Sequence, residues 1–270
     1  MPFCQLCEIE HKRLVDSHVI PRAFYEEFAR SELKGISSDD FDKTYRKGIY
    51  GQFLCEDCEK SFYQYDNSVI QLIKGNEQVV KIRLEGGEEM GFDIYPNAHL
   101  LKRNLQEFAL AVLWRAAASE REEFRDINLG AYLGKIGSCL QDGVFTNELL
   151  QKVNLFYIAF RHGSQEVNQA FIPYRAVKGS GNIFGNAHYH RFGFPYGEFL
   201  IRLGGDNMPR QGYYSFSNEM ENYCGVIWAS NLSEEYPNWF VLKTEKINSD
   251  VNSYIRILDE SRRYQNSFRS

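Results

Sequence analysis

The sequence predicts an α+β chain in two parts. A metal-stabilised module occupies residues 1–75, and a larger domain of helices and mostly antiparallel sheet occupies residues 76–270. Three observations carry the prediction. Two Cys-x2-Cys pairs, Cys4/Cys7 and Cys55/Cys58, bracket the first quarter of the chain. Residues 98–125 repeat apolar side chains at helical spacing among many alanines. From about residue 154 to 245, short aromatic and β-branched runs are punctuated by Gly, Asn and Pro, which is a strand pattern.

Each cysteine pair can aim both sulfurs at one ion from a tight turn. Two pairs supply four soft ligands, which suits a tetrahedral structural zinc. The pairs lie far apart in sequence, so binding the ion also folds the chain between them. The alternative is free or disulfide-bonded cysteine. The start, Met1-Pro2-Phe3-Cys4, lacks the basic and apolar regions of a signal peptide. A cytoplasmic location is therefore expected, and a reducing compartment favours metal over disulfide. Cys139 and Cys224 stand alone in apolar surroundings and read as small hydrophobes. No run of about 18 apolar residues is present, so no membrane partner is expected.

Within the module, residues 3–7 are expected to form a knuckle turn. Lys12-Arg13-Leu14-Val15 leads as a strand towards Ser17-His18-Val19, and Pro21 opens a helix running through Ala29. Residues 48–54 read as a second strand. A helix starts at Glu56 or Asp57 and continues past Phe62, Val69, Ile70 and Ile73, with Gly75 as its stop. Knuckle, hairpin and a second cysteine pair opening a helix make the layout of a treble-clef zinc finger.

Beyond it, residues 76–95 alternate as strands with a turn at Gly86-Gly87. The helix at 98–125 puts Leu101, Leu105, Phe108, Val112 and Trp114 on its apolar face. Arg115 reads as an edge residue whose stem packs while its head reaches water. Shorter helices are expected at 131–140 and 147–153. Strands are expected at 156–160, 170–174, 188–194, 198–203 and 223–228, and a last helix from about Asp250.

Charge narrows the function. The net charge is −5 and the pI about 5.8, whereas proteins that neutralise duplex phosphate are usually basic. Residues 1–60 carry nine Lys/Arg and twelve Asp/Glu. Acidic side chains can instead hold a divalent cation that faces phosphate. The balance thus disfavours passive DNA wrapping more than a metal-dependent nuclease.

A four-cysteine ion has no open position, so chemistry falls to the side chains it fixes. His18 lies in the clamped segment, and imidazole suits taking a proton from water. Glu59 directly follows Cys58 in the first helical turn, Asp66 lies about two turns along the same face, and Asp16 stands just before the Ser17-His18 pair. Such oxygen ligands suit Mg2+ or Mn2+. A metal on phosphate with a histidine base on water is a minimal phosphodiesterase. Each residue also has a plainer reading: His18 packing under the hairpin, Glu59 favoured by the helix dipole, Asp66 on a solvated face. His188 and His190 share a strand face but lack an obvious third ligand. Residues 178–196 read as sheet core more readily than as a base-stacking surface.

Cys4-x2-Cys7, Ser17-His18-Val19-Ile20-Pro21 and Leu54-Cys55-x2-Cys58-Glu59 together resemble the zinc-bearing HNH endonucleases of the ββα-metal, treble-clef fold. The resemblance covers about the first quarter of the chain. It implies His18 as general base, Glu59 at the helix position that helps hold a catalytic divalent ion, Zn2+ on the four cysteines as scaffold, and nucleic acid as partner. The pattern departs from the family at three places. Ser17 replaces a metal-binding carboxylate, no Asn occurs before Asn67, and Glu59 replaces a His or Asn. Gln52 is a steric stand-in for the absent Asn.

Two readings follow. One is a metal-dependent nucleic-acid phosphodiesterase, of the kind that serves phage defence or mobile elements in bacteria, with Glu59 and either Asp16 or Asp66 as ligands. The other is a non-catalytic zinc finger that binds nucleic acid or a protein partner. No Gly-rich phosphate loop, nucleophile elbow or cofactor motif supports a small-molecule enzyme.

Overall fold

The computed structural model describes residues 1–26, 35–36, 44–45, 47–73, 82–85, 90–96, 99–160, 175–178, 188–194, 197–204 and 223–229. The chain opens with a knuckle. Phe3 and Glu10 form an antiparallel bridge. Inside it the Cys4 amide donates to the Ile9 carbonyl at 3.0 Å and the Glu8 amide to the Cys4 carbonyl at 2.9 Å. Glu8 closes the turn at φ 56, in the left-handed region.

Strand β1 (Val15–His18) follows, then a 3-10 turn at Arg22–Tyr25. Short strands β2 (Gly35–Ile36) and β3 (Thr44–Tyr45) pair with each other. Strand β4 (Tyr50–Leu54) returns antiparallel to β1, with Asp16 opposite Gln52 and His18 opposite Tyr50. Cys55 is the N-cap of helix α1 (Glu56–Ser61), and α2 (Tyr63–Ile73) follows directly. The single helix expected here is two. At the junction the Phe62 amide reaches only three residues back, to the Glu59 carbonyl at 3.2 Å, while the Phe62 ring is buried. The helix expected from Pro21 begins as the 3-10 turn, and its continuation past residue 26 lies outside the described residues.

The remainder comprises the hairpin β5 (Ile82–Glu85) and β6 (Met90–Pro96), helices α3 (His99–Ala118), α4 (Tyr132–Asp142) and α5 (Asn147–Leu150), and strands β7 (Val153–Phe160), β8 (Arg175–Lys178), β9 (His188–Phe194), β10 (Gly197–Leu203) and β11 (Tyr223–Ala229). Strands β5 to β11 form one sheet in the order β5-β6-β11-β7-β10-β9-β8. Every pairing is antiparallel except β11 with β7. Helix α3 stops at Ala118, short of the expected 125. Glu120 adopts φ 51, the Ser119 hydroxyl folds back on the Ala116 carbonyl at 2.9 Å, and a 3-10 turn at Glu122–Phe124 follows. Helix α5 ends at Leu150, because Val153 already belongs to β7. The Gly86-Gly87 turn, the strand at 170–174, the helix from Asp250 and the side chain of Cys224 lie outside what is described.

Helix α3 is the spine of the core. Its residues 108–116 are all buried, Arg115 included. Helix α4 closes on it at Gly137, where a Cβ would sit 3.1 Å from the Trp114 indole nitrogen. One apolar cluster runs from the N-terminal segment into the sheet, across residue 75. Phe24 stacks on Phe194 with centroids 4.8 Å apart, and Phe108 lies 5.0 Å from Phe199. The fold is therefore α+β, with helices packed beside mainly antiparallel sheets. Among the described residues, no helix is long and apolar enough to cross a membrane.

Candidate metal centre and adjoining polar site

The knuckle and the start of α1 bring four sulfurs together. The Sγ atoms of Cys4, Cys7, Cys55 and Cys58 all lie within 4.8 Å of one another, and Cys7 and Cys55 are 4.0 Å apart. A tetrahedral ion with bonds of ~2.3 Å separates its sulfurs by roughly 3.8 Å, so the donor set fits one. All four cysteines are free of disulfides. The Cys55 amide donates to Cys4 Sγ at 3.3 Å, and His11 Nε2 lies 3.5 Å from Cys7 Sγ. Burial raises the Cys4 thiol, but hydrogen bonds from the Cys7, Cys55 and Leu6 backbone outweigh it and bring the thiol down to about 7. Burial pushes the Cys7 and Cys58 thiols up. Sulfurs this close cannot all carry charge without a cation among them. The cluster could thus hold a metal ion such as zinc. From α4, the Gln141 side-chain amide donates to the Leu6 carbonyl and braces the knuckle. Among the described residues this is the one convergent group of three or more His, Cys, Asp or Glu side chains, and the His188/His190 pair gathers no third ligand.

His18 ends β1 half-buried beside Tyr50, with ring centroids 5.3 Å apart. Its Nε2 lies 2.9 Å from the Lys47 carbonyl. A carbonyl only accepts, so Nε2 carries the proton and the neutral ring keeps Nδ1 as its basic atom. Burial holds the imidazole below its ordinary 6.5; Arg22 and Arg115 add to this, against the Lys47 hydrogen bond and Asp16. The Lys47 carbonyl is placed by Gly48, which sits at φ 78 with the Tyr25 ring over it. A Cβ there would meet Tyr25 Cε2 at 2.4 Å. Gly48→Ala is accordingly expected to cost about 2–4 kcal/mol, combining left-handed strain with overpacking. Urea unfolding measures it; a loss under half a unit would mean the ring swings clear.

Neighbouring strand residues point to opposite faces, so Ser17 and His18 diverge. Ser17 is fully buried, its hydroxyl donates to the Val15 carbonyl at 3.4 Å, and it lies close enough to Glu59 of α1 to act on that carboxyl. Burial pushes the Glu59 carboxyl up, while Ser17 and Arg115 pull it down and Asp66 pushes it up. Glu59 Oε2 is buried without a hydrogen-bond partner. Among the described contacts none joins His18 to Glu59: the carboxylate meets β1 at Ser17. On His18's own strand face, Asp16 is exposed and accepts from Gln52 Nε2 at 3.1 Å.

Two expectations are corrected. Asp66 is buried rather than solvated, and Arg115 is buried rather than reaching water. They form a bidentate pair, Arg115 Nη1 to Asp66 Oδ2 at 2.8 Å and Nη2 to Oδ1 at 2.7 Å. The guanidinium lies 4.8 Å over the Phe62 ring. Both carboxylate oxygens of Asp66 are taken, so it is not free to ligate a metal. Cys139 is half-buried on α4 as a free thiol. The sequence pattern alone pointed neither to the His11 ring beside Cys7 nor to the Lys47 carbonyl against His18.

Fold and site define an α+β protein with a four-cysteine centre and a polar cluster beside it. The chain matches no protein-family model, no curated protein and no solved structure.

Proposed function

We propose that the chain is a metal-dependent nucleic-acid phosphodiesterase of HNH type, with the HNH-like treble clef at its N-terminus. The observation that carries the reading is the Lys47–His18 hydrogen bond, which leaves Nδ1 as a base on an imidazole held neutral at pH 7. Zn2+ on Cys4, Cys7, Cys55 and Cys58 is scaffold, anchoring both ends of the β1–β4 hairpin. Glu59, whose buried Oε2 has no protein partner, is the residue that would hold Mg2+ or Mn2+. Such an ion, when bound, polarises a phosphodiester. His18 would take the proton of the attacking water at Nδ1 while the Lys47 carbonyl steadies Nε2; because its strand face is opposite that of Ser17 and Glu59, the phosphodiester would have to reach it round the edge of β1, past Asp16.

Plasmid nicking in Mg2+ or Mn2+ tests this. His18→Ala is expected to lose ~10²–10⁴-fold in rate, and Glu59→Ala to lose activity at unchanged zinc content. Equal rates in wild type and both variants rule the mechanism out. The histidine must be neutral to act, and its pKa lies below 6.5. The wild-type rate should therefore fall with acid through a midpoint below 6.5 and stay flat from there to pH 8.

A second reading is a non-catalytic finger that binds nucleic acid or protein. Glu59 meeting Ser17 rather than His18, and the net charge of −5, favour it. Under that reading the nicking assay is silent.

A further inference from the structure

We propose that the cavity flanking β1 is the seat of a nucleic-acid strand, gripping its phosphates with Lys12 and Arg13 and presenting Asp16 and Gln52 to a base edge. This deepens the phosphodiesterase reading and rests on it for the direction of the strand, though not for binding itself. The cavity encloses about 600 Å³ beside the knuckle, with Leu14 and Val15 in its wall. Clefts of roughly 300–1,000 Å³ are the size that holds small ligands or one segment of a larger one.

The lining chemistry runs against the rest of the molecule. The chain carries a net charge of −5, yet this wall offers two cations and one carboxylate. Both Lys12 and Arg13 are exposed, and neither makes an ion pair with another described residue. An exposed ammonium next to a planar guanidinium is a phosphate grip. The single carboxylate is partly satisfied: Asp16 Oδ1 accepts from Gln52 at 3.1 Å. That bond fixes the Gln52 amide and leaves its oxygen and second hydrogen to hydrogen-bond a base. The apolar wall suits sugar and base faces. Asp16 and His18 share one strand face, so a strand seated on Lys12 and Arg13 continues past Asp16 towards the imidazole.

Fluorescence anisotropy of the full zinc-loaded chain tests the seat, with a fluorescein-labelled 20-nucleotide single-stranded DNA, the same sequence as RNA, and the duplex as probes. Lys12→Glu/Arg13→Glu is expected to weaken binding of at least one probe by at least tenfold. The milder Lys12→Gln/Arg13→Gln should weaken it by several-fold and flatten the log–log salt dependence by about 1.4 for a single strand. The control Lys135→Glu/Lys152→Glu makes the same charge change in the cavity between α4 and α5 and should stay within twofold. Equal weakening by both charge-reversal pairs, no weakening by the Gln pair, or no binding of any probe by wild type overturns the proposal. Binding that depends on Lys12 and Arg13 without any plasmid nicking keeps the seat and removes the catalytic reading. Nicking that depends on His18 but not on Lys12 and Arg13 does the reverse.

Discussion

Stripping the ion from the four-cysteine centre is expected to unfold the N-terminal segment and lower the thermal midpoint of the chain by at least about 10 °C. The reason is scale. Structural zinc contributes an apparent ~10–16 kcal/mol in small sites, as much as the whole stability of a typical domain at about 5–15 kcal/mol. Here the four cysteines join the knuckle to the N-terminus of α1, and between them lie only two short antiparallel strand pairs and a 3-10 turn of regular structure among the described residues. Without a cation, thiols this crowded must stay protonated or repel. Cys55→Ser should behave like chelation, since Cys55 is one of the four clustered sulfurs and the helix N-cap, and its amide also supports Cys4. Cys139→Ser, away from the cluster, should leave the midpoint unchanged. Circular dichroism melts with and without chelator read the result directly. An identical midpoint in both would mean that the four sulfurs hold no structural ion.

The same cysteines show why part of this molecule is legible in its sequence. A ligand pair at fixed spacing is a local signal with a nonlocal consequence, so Cys4/Cys7 and Cys55/Cys58 announce their meeting without any knowledge of the path between. Strands β9 and β10 are legible for a similar reason. Period-two patterning bounded by Gly and Pro is complete within each strand, and both run within a residue of the expected ends. The sheet order is not legible. Nothing in residues 223–229 states that they lie parallel to β7 rather than beside β10. Helix ends fail where a single residue decides, as at Glu120 with φ 51. The candidate site divides along the same line. His18 and Glu59 are visible by type and position, but whether they share a face depends on strand alternation at Ser17, which sends the two apart.

Arg115 and Asp66 are the least legible pair, and replacing either is expected to have the second largest effect on stability. Periodicity treats a charged residue in an apolar helix as an edge marker, because burying a lone charge is prohibitive. The partner that removes this objection lies 49 residues away, on α2. Breaking a buried pair by removing one member leaves the other charge uncompensated, so Arg115→Met and Asp66→Leu are each expected to cost about 3–5 kcal/mol. The double variant should recover most of that loss, since an apolar pair of similar volume needs no compensation. Arg115→Lys keeps the charge but loses the fork and the stacking on Phe62, and should fall between. Urea unfolding of the four variants closes the cycle; additive losses in the double variant would show that the pair is not the unit of stability. Arg115 also lowers the affinity of His18 for its proton. Taking that positive charge away should therefore raise the His18 midpoint towards 6.5, visible by NMR titration of the ring in Arg115→Met at temperatures where it remains folded. The long helix of the core thus acts on the N-terminal site in two ways, by packing against α2 and by setting the charge near the one imidazole that the hairpin holds in place.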